Sequence, residues 1–266
     1  MKTLFRSFVA EILALLARAI LAKYKPKIVM ITGSVGKTST KDAVASALSE
    51  RYYLRASEKS YNSEFGVPLT IIGTSNPWSS VSLWIHVFQE ALFLIFFTAH
   101  YPKLLVLEVG ADRPGDLKQI LRIATPNAVV VTRLPDVPVH VEAYASAEAV
   151  REEEFTPAYS LAKDAPLIIS ADDENAKRLA RQLSVRLATF GCAKDADVRM
   201  KDIRVKKDGS RPVGMEVTVE VEGSHHTLAT VGALGKSQVY APSAGLALAR
   251  MLDVSLTDAL KGLASY

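Results

Sequence analysis

One cysteine, Cys192, is all that the 266-residue chain contains, so no disulfide can form within it and no cluster of thiolates can hold zinc. Its 14 glycines and 12 prolines are scattered, and no Gly-, Pro- or Ser-rich linker divides it, which excludes the collagen-like and disordered classes. Neither sign of charge dominates. The 32 Lys and Arg against 28 Asp and Glu leave +4, too small an excess to argue for a nucleic-acid partner. An unbroken apolar run of the ~20 residues needed to cross a bilayer is also lacking. Glu11 and Arg18 interrupt residues 4–21, and His86, Gln89 and Glu90 interrupt residues 81–98. What remains is a chain with 49% apolar and 23% charged residues, the balance of a globular protein with a substantial core.

Both apolar stretches have helical spacing. In the first, Phe5, Phe8, Val9, Ile12, Leu16, Ala19 and Ile20 recur on one side, with Lys2 and Arg6 ahead as in a signal peptide. Arg18 inside the stretch, and a phosphate-binding motif soon after it, favour a packed or membrane-surface amphipathic helix over residues 1–26. The second stretch, with Trp84, Phe88, Leu92, Ile95 and Phe96, reads first as the buried helix of an insertion. Its sharper reading is a patch that touches a membrane or a partner.

From residue 27 onward strand and helix signals alternate. Short β-branched runs at 28–31, 104–109, 128–132, 167–170 and 187–190 alternate with helical patterns at 41–48, 114–123, 146–161 and 174–182. That rhythm predicts a mostly parallel α/β sheet flanked by helices. Between 198 and 231 the pattern becomes alternating residues separated by turns, the mark of a small antiparallel meander. Helices at 239–251 and 256–263 close the chain. Residues 27–266 are thus read as one domain.

The most specific local signal is Thr32-Gly33-Ser34-Val35-Gly36-Lys37-Thr38-Ser39, lying between a strand and a helix. Gly33 and Gly36 let backbone N–H groups curl around an anion, and the helix beginning near Lys37 turns its positive end toward it. Lys37 can neutralise the β- and γ-phosphates of a nucleotide, and the Thr38 hydroxyl can ligate Mg²⁺. Glu108 ends a buried strand at the carboxyl edge of the sheet, where a carboxylate can hold Mg²⁺ against phosphates. The pair His225-His226 falls between meander strands and reads as exposed and inert.

This segment resembles the ATP loop of the Mur ligases, which join amino acids or peptides to peptidoglycan precursors. Three others extend the resemblance to residues 27–264: Tyr61-Asn62-Ser63-Glu64-Phe65-Gly66-Val67-Pro68-Leu69-Thr70, Leu107-Glu108-Val109-Gly110-Ala111-Asp112, and His140 with Glu142, Tyr144, Ser146 and Glu148. All three are most similar to the D-alanyl-D-alanine-adding branch. The resemblance implies an ATP- and Mg²⁺-dependent cytoplasmic ligase that makes an amide through an acyl phosphate. Its substrates would be a UDP-muramoyl peptide and an amino-acid or dipeptide amine. Within it Asn62 and Thr70 would orient the γ-phosphate side, Thr38 and Glu108 would bind Mg²⁺, and His140 would ligate a second Mg²⁺.

Four departures stand beside it. The family's lysine, carbamylated in many members, falls at Glu154, which keeps the negative charge on a side chain shorter by about three bonds. Read from the residues alone, Glu154 is equally a solvated acid of Arg151-Glu152-Glu153-Glu154. The UDP-binding amino-terminal domain and the carboxy-terminal domain that closes over ATP are both expected to be absent from this chain. Gly235-Lys236-Ser237-Gln238-Val239-Tyr240-Ala241 has Gln238 and Ala241 where the family's adenine segment has asparagines, and Thr132-Arg133 replaces a Thr-Asn. The alternatives are a folylpolyglutamate or cyanophycin synthetase-like ligase, and an ATP-binding module without ligase activity, held at a membrane or on a partner.

Overall fold

The computed structural model describes residues 2–58, 61–78, 80–232 and 234–266, with side chains from Ser7 onward. Among the described residues, nine strands form one sheet in the order β2-β3-β1-β4-β5-β6-β7-β8-β9. Its parallel part consists of β1 (Lys27–Thr32), β2 (Leu54–Ala56), β3 (Leu104–Glu108), β4 (Ala128–Val131), β5 (Pro166–Ser170) and β6 (Arg186–Gly191). Strand β7 (Val198–Asp208) joins β6 in parallel through Phe190 and Gly191. It then pairs antiparallel with β8 (Arg211–Val221), which pairs with β9 (Ser224–Val231). The expected meander is therefore an extension of the main sheet.

The central strands are apolar on both faces because helices cover both. One core joins Ile28, Met30, Leu105, Leu107, Val129 and Val131 to α1 (Lys2–Tyr24), α3 (Gly66–Ile72), α4 (Val81–Phe96), α5 (Asp116–Leu121), α6 (Ala147–Tyr159) and α7 (Glu174–Ala180). The other joins Val29, Ile31, Val106 and Val130 to α2 (Lys37–Leu48), α8 (Tyr240–Met251) and α9 (Leu256–Leu263). Runs of Val, Ile and Leu without alternation are what a doubly covered parallel sheet requires. On the second face the helices press close. A Cβ on Gly262 would fall 2.0 Å from Ser46 O, so only glycine lets α9 lie against α2 there.

Two elements escape the sequence pattern. Strand β2 has three residues and is extended by its pairing with β3, and α3 has seven residues, all buried, with no polar face to reveal its period. The helix over 81–98 forms as α4, capped by the Ser80 side chain accepting from Leu83 N, but the expectation of burial is corrected. Only Val87, Ala91 and Leu94 of α4 are buried. Among the described residues no helix is long and apolar enough to cross a membrane.

The chain leaves β1 on one side toward β2 and β3 and returns on its other side as β4. A crevice opens where the order reverses, at the carboxyl ends of β1, β3 and β4, the place where open α/β sheets receive ligands.

Candidate nucleotide site

Between Thr32 and Lys37 the two loop glycines have φ of 117° (Gly33) and 87° (Gly36), backbone that glycine alone adopts readily. They serve different ends. A Cβ on Gly33 would lie 2.5 Å from Thr132 Oγ1 and 3.0 Å from Arg133 N, so this glycine lets the loop press on the end of β4. A Cβ on Gly36 would meet no described atom within 4 Å, and it faces open space at the start of α2. The loop is tied down by Ser34 N donating to Arg133 O (2.9 Å) and by Thr132 Oγ1 donating to Thr32 O (3.1 Å). Thr32 Oγ1 in turn donates to Glu154 O (2.6 Å). Among the described residues no side chain caps the twelve-residue α2, so its first N–H groups and its dipole stay available to an anion. The Lys37 ammonium folds back onto Gly33 O (2.5 Å) and Ser34 O (3.4 Å), beside the loop it would serve.

Glu108 ends β3 and is 3% exposed. One carboxylate oxygen accepts from the Thr38 hydroxyl at 3.2 Å, while the other, Oε2, is buried with no hydrogen-bond partner among the described residues. A buried carboxylate oxygen without a donor is expensive unless a cation or water completes it. Together with the Thr38 hydroxyl it matches what Mg²⁺ takes from a protein, one carboxylate and one hydroxyl, with phosphates and water completing the octahedron. Behind it lies a relay that the sequence reading missed. The buried Lys41 ammonium donates to Ser57 O (2.6 Å) and pairs with Asp42 (2.8 Å), while Ser57 Oγ accepts from Glu108 N (3.1 Å). A lysine on the apolar side of α2 was the available signal.

Asn62 and Lys37 meet over Gly110. A Cβ there would touch Asn62 Nδ2 at 3.2 Å and Lys37 Cε at 3.4 Å, and Gly110 N donates to Asn62 O at 3.2 Å. Thr70 is tied into α3 instead. Its hydroxyl donates to Gly66 O (2.9 Å), and its carbonyl accepts from Arg55.

Glu154 is 5% exposed, not a solvated acid, and Ser34 Oγ donates to its Oε2 at 2.5 Å. Burial pushes its carboxyl above the usual range, and the Ser34 hydrogen bond with the Lys37 and His140 charges pulls it part of the way back. The α6 backbone, held by Thr32 at Glu154 O, brings this shorter acid to the phosphate loop. His140 is half exposed and in the left-handed region, 3.6 Å from Asp112 and 3.9 Å from Glu142. Among the described residues no three His, Cys, Asp or Glu side chains converge to hold a metal, so the geometry adds nothing to the expected second Mg²⁺ at His140. Nearby, the Tyr144 hydroxyl is buried without a partner among the described residues. Burial, then the charges of Glu153, Asp116, Glu154 and Asp112, raise its pKa. His225 is exposed and His226 Nε2 lies 2.9 Å from Ser224 Oγ, on the hairpin.

Beside the loop lies a cleft of about 540 Å³, bounded by Gly36, Ser39, Arg133, Asp172, Gln238 and Tyr240. The segment around Gln238 was expected here; Asp172 was not. Its carboxylate accepts from Cys192 N (2.7 Å), Ala193 N (2.8 Å) and Tyr240 OH (2.8 Å), a rigid acidic wall. Its place just past the carboxyl end of β5 is the signal that singled out Glu108 on β3.

A glycine loop between strand and uncapped helix, the Thr38 hydroxyl on the buried Glu108 carboxylate and an adjoining cleft give this α/β protein the geometry of the P-loop class. The family of the Mur ligase middle domain matches residues 89–249, more than half of the sequence, and the chain belongs to that family. It is similar to the UDP-N-acetylmuramoyl-tripeptide–D-alanyl-D-alanine ligase of Bacillus subtilis strain 168, 24% identical over 248 residues, which cover 93% of this chain and 46% of that protein. Its fold is that of a crystal structure of MurF from Acinetobacter baumannii (TM-score 0.74, 19% identity, 96% of this chain and 49% of that one). The same holds for the Thermotoga maritima MurF ligase in complex with ADP (TM-score 0.70, 22% identity, 94% and 52%). The chain thus spans about half the length of these relatives.

Proposed function

We propose that this chain binds Mg²⁺-ATP and supplies the phosphoryl-transfer half of a Mur-type amide ligase of the D-alanyl-D-alanine-adding kind. The observation that carries the reading is the orphaned buried oxygen of Glu108 beside the Thr38 hydroxyl, at the foot of an open phosphate loop. Residues Thr32 to Ser39 would hold the triphosphate through backbone N–H groups, and Lys37 would leave Gly33 O for the β- and γ-phosphates. Thr38 and Glu108 would hold Mg²⁺, whose charge offsets that of the transferring phosphoryl group. Asn62, beside the Lys37 stem, would orient the γ-phosphate. His140 and Glu154 line the side where the acceptor carboxylate would arrive. There the carboxylate takes the phosphoryl group, ADP departs, and the incoming amine displaces phosphate from the acyl carbon.

The substrates in this reading are ATP, a UDP-muramoyl peptide and D-alanyl-D-alanine or a similar amine, which implies the cytoplasm as the site of reaction. Segment 61–70 favours this branch over folylpolyglutamate or cyanophycin synthesis. The test pairs calorimetry of Mg²⁺-ATP with phosphate release and mass spectrometry of the peptide product. Lys37→Ala should lower ATP affinity on the order of a hundredfold, two charge-assisted contacts being lost. Unchanged affinity would remove the phosphate loop from the site. ATP binding without amide product would leave the ATP-binding module as the reading.

A further inference from the structure

The chain's positive charge is not spread evenly. Residues 1–27 hold six basic side chains and one acid, a net +5, against +4 for the whole chain. That segment includes α1, which packs beside α4, and the two meet at their carboxyl ends. There the Lys23 ammonium donates to Leu94 O (2.8 Å), Ile95 O (3.0 Å) and Phe97 O (2.5 Å), and Tyr24 OH to Leu94 O (2.9 Å). These bonds cap α4 and fix the basic end of α1 beside its most apolar stretch. The solvent side of α4 carries Ile85, Leu92, Phe93 and Phe96, the last 74% exposed, with Phe97 just beyond and Trp78, 80% exposed, ahead. The only acid on α4, Glu90, is half-buried, while Arg18 and Lys25 are exposed. Apolar side chains in this number are not left in water on one face without a reason.

We propose that α4 and the basic end of α1 form a peripheral docking face for an anionic lipid bilayer, the aromatic side chains seated at the headgroup boundary and the lysines over acidic headgroups. Charge selects this occupant. A second copy would bring one basic end of α1 against another, and a neutral apolar partner would make no use of the charge. A helix lying in the interface with aromatic residues on one side and cations at its rim is the arrangement that anionic lipid retains. The face is separate from the nucleotide site and does not depend on its assignment.

Trp78 and Trp84 are the only tryptophans, so emission excited selectively from tryptophan reports on this face. The full chain is mixed with vesicles of phosphatidylcholine, or of phosphatidylcholine with phosphatidylglycerol, then sedimented while emission is recorded. Binding to the anionic vesicles, with a blue shift and release by salt, is expected. Phe93→Ser with Phe96→Ser, both exposed and so compatible with an unchanged melting curve, should weaken partitioning about tenfold or more. Arg18→Glu with Lys25→Glu should do the same on anionic vesicles only. Absence of binding to anionic vesicles at low salt overturns the proposal, as does equal binding to both vesicle types. A blue shift without lipid that tracks dimer formation in light scattering overturns it in favour of self-association.

Discussion

Gly36 and Gly115 offer a controlled experiment on the phosphate loop. Each precedes a helix, α2 and α5, with almost the same backbone, φ 87° and ψ 6° against φ 92° and ψ −4°, and around neither would a new Cβ meet an atom within 4 Å. Alanine at either position therefore pays only for a left-handed L-residue, about 1–2 kcal/mol, and the two variants should lose similar stability in urea or thermal unfolding. They should part in ligand binding. The space in front of Gly36 is where the α2 amides would receive phosphate, so a methyl group there blocks close approach and should cost one or two charge-assisted bonds. That corresponds to roughly 2–4 kcal/mol, on the order of a hundredfold in ATP affinity. Gly115→Ala should bind ATP as the parent does. Calorimetry at a temperature where both variants are folded decides it. Equal ATP affinity for Gly36→Ala and the parent would refute the argument that the open space at Gly36 holds the phosphates.

Other consequences follow from particular contacts. Burial raises the Glu154 carboxyl, so as pH climbs from the ordinary carboxylate range the unfolded chain loses that proton first and stability falls until the folded group has also ionised. Glu154→Gln should therefore be more stable than the parent at neutral pH, match it at acid pH, and still lose Mg²⁺-dependent ATP turnover; a variant less stable at neutral pH would contradict this. Lys41→Met keeps the bulk of the side chain but removes the ammonium that holds Ser57, and through it Glu108. The Mg²⁺ concentration needed for ATP binding should rise severalfold while Mg²⁺-free ADP binding stays unchanged, and a Mg²⁺ titration superimposing on the parent's would count against the relay. Phe155 is fully buried in α6, and Phe155→Ala should cost about 3–5 kcal/mol in chemical denaturation. A loss under about 1 kcal/mol would mean that this core collapses around the cavity.

The parallel sheet, its glycine loop and the place of Glu108 at the end of β3 were legible in the sequence because each rests on a local signal. Doubly buried strands write themselves as Val, Ile and Leu runs, and Gly33, Gly36 and Lys37 stand within one short loop between a strand and a helix. Helix α3 and strand β2 were not legible, since a fully buried helix has no polar stripe and a three-residue edge strand is shaped by its neighbour β3. Nor was the exposure of α4. The pattern of residues 81–98 marks a helix, but its solvent side is as apolar as its core side, so periodicity could not say which atoms the fold would cover. Glu154 shows the division most sharply. From sequence it stands in an acidic run that reads equally as a solvated face. Only the packing of α6, with Glu154 O held by Thr32 and the carboxylate by Ser34, turns that acid inward to the phosphate loop. Local chemistry set the glycine loop and its lysine. Long-range packing, which joins residues about 120 positions apart, decided which acid stands beside them.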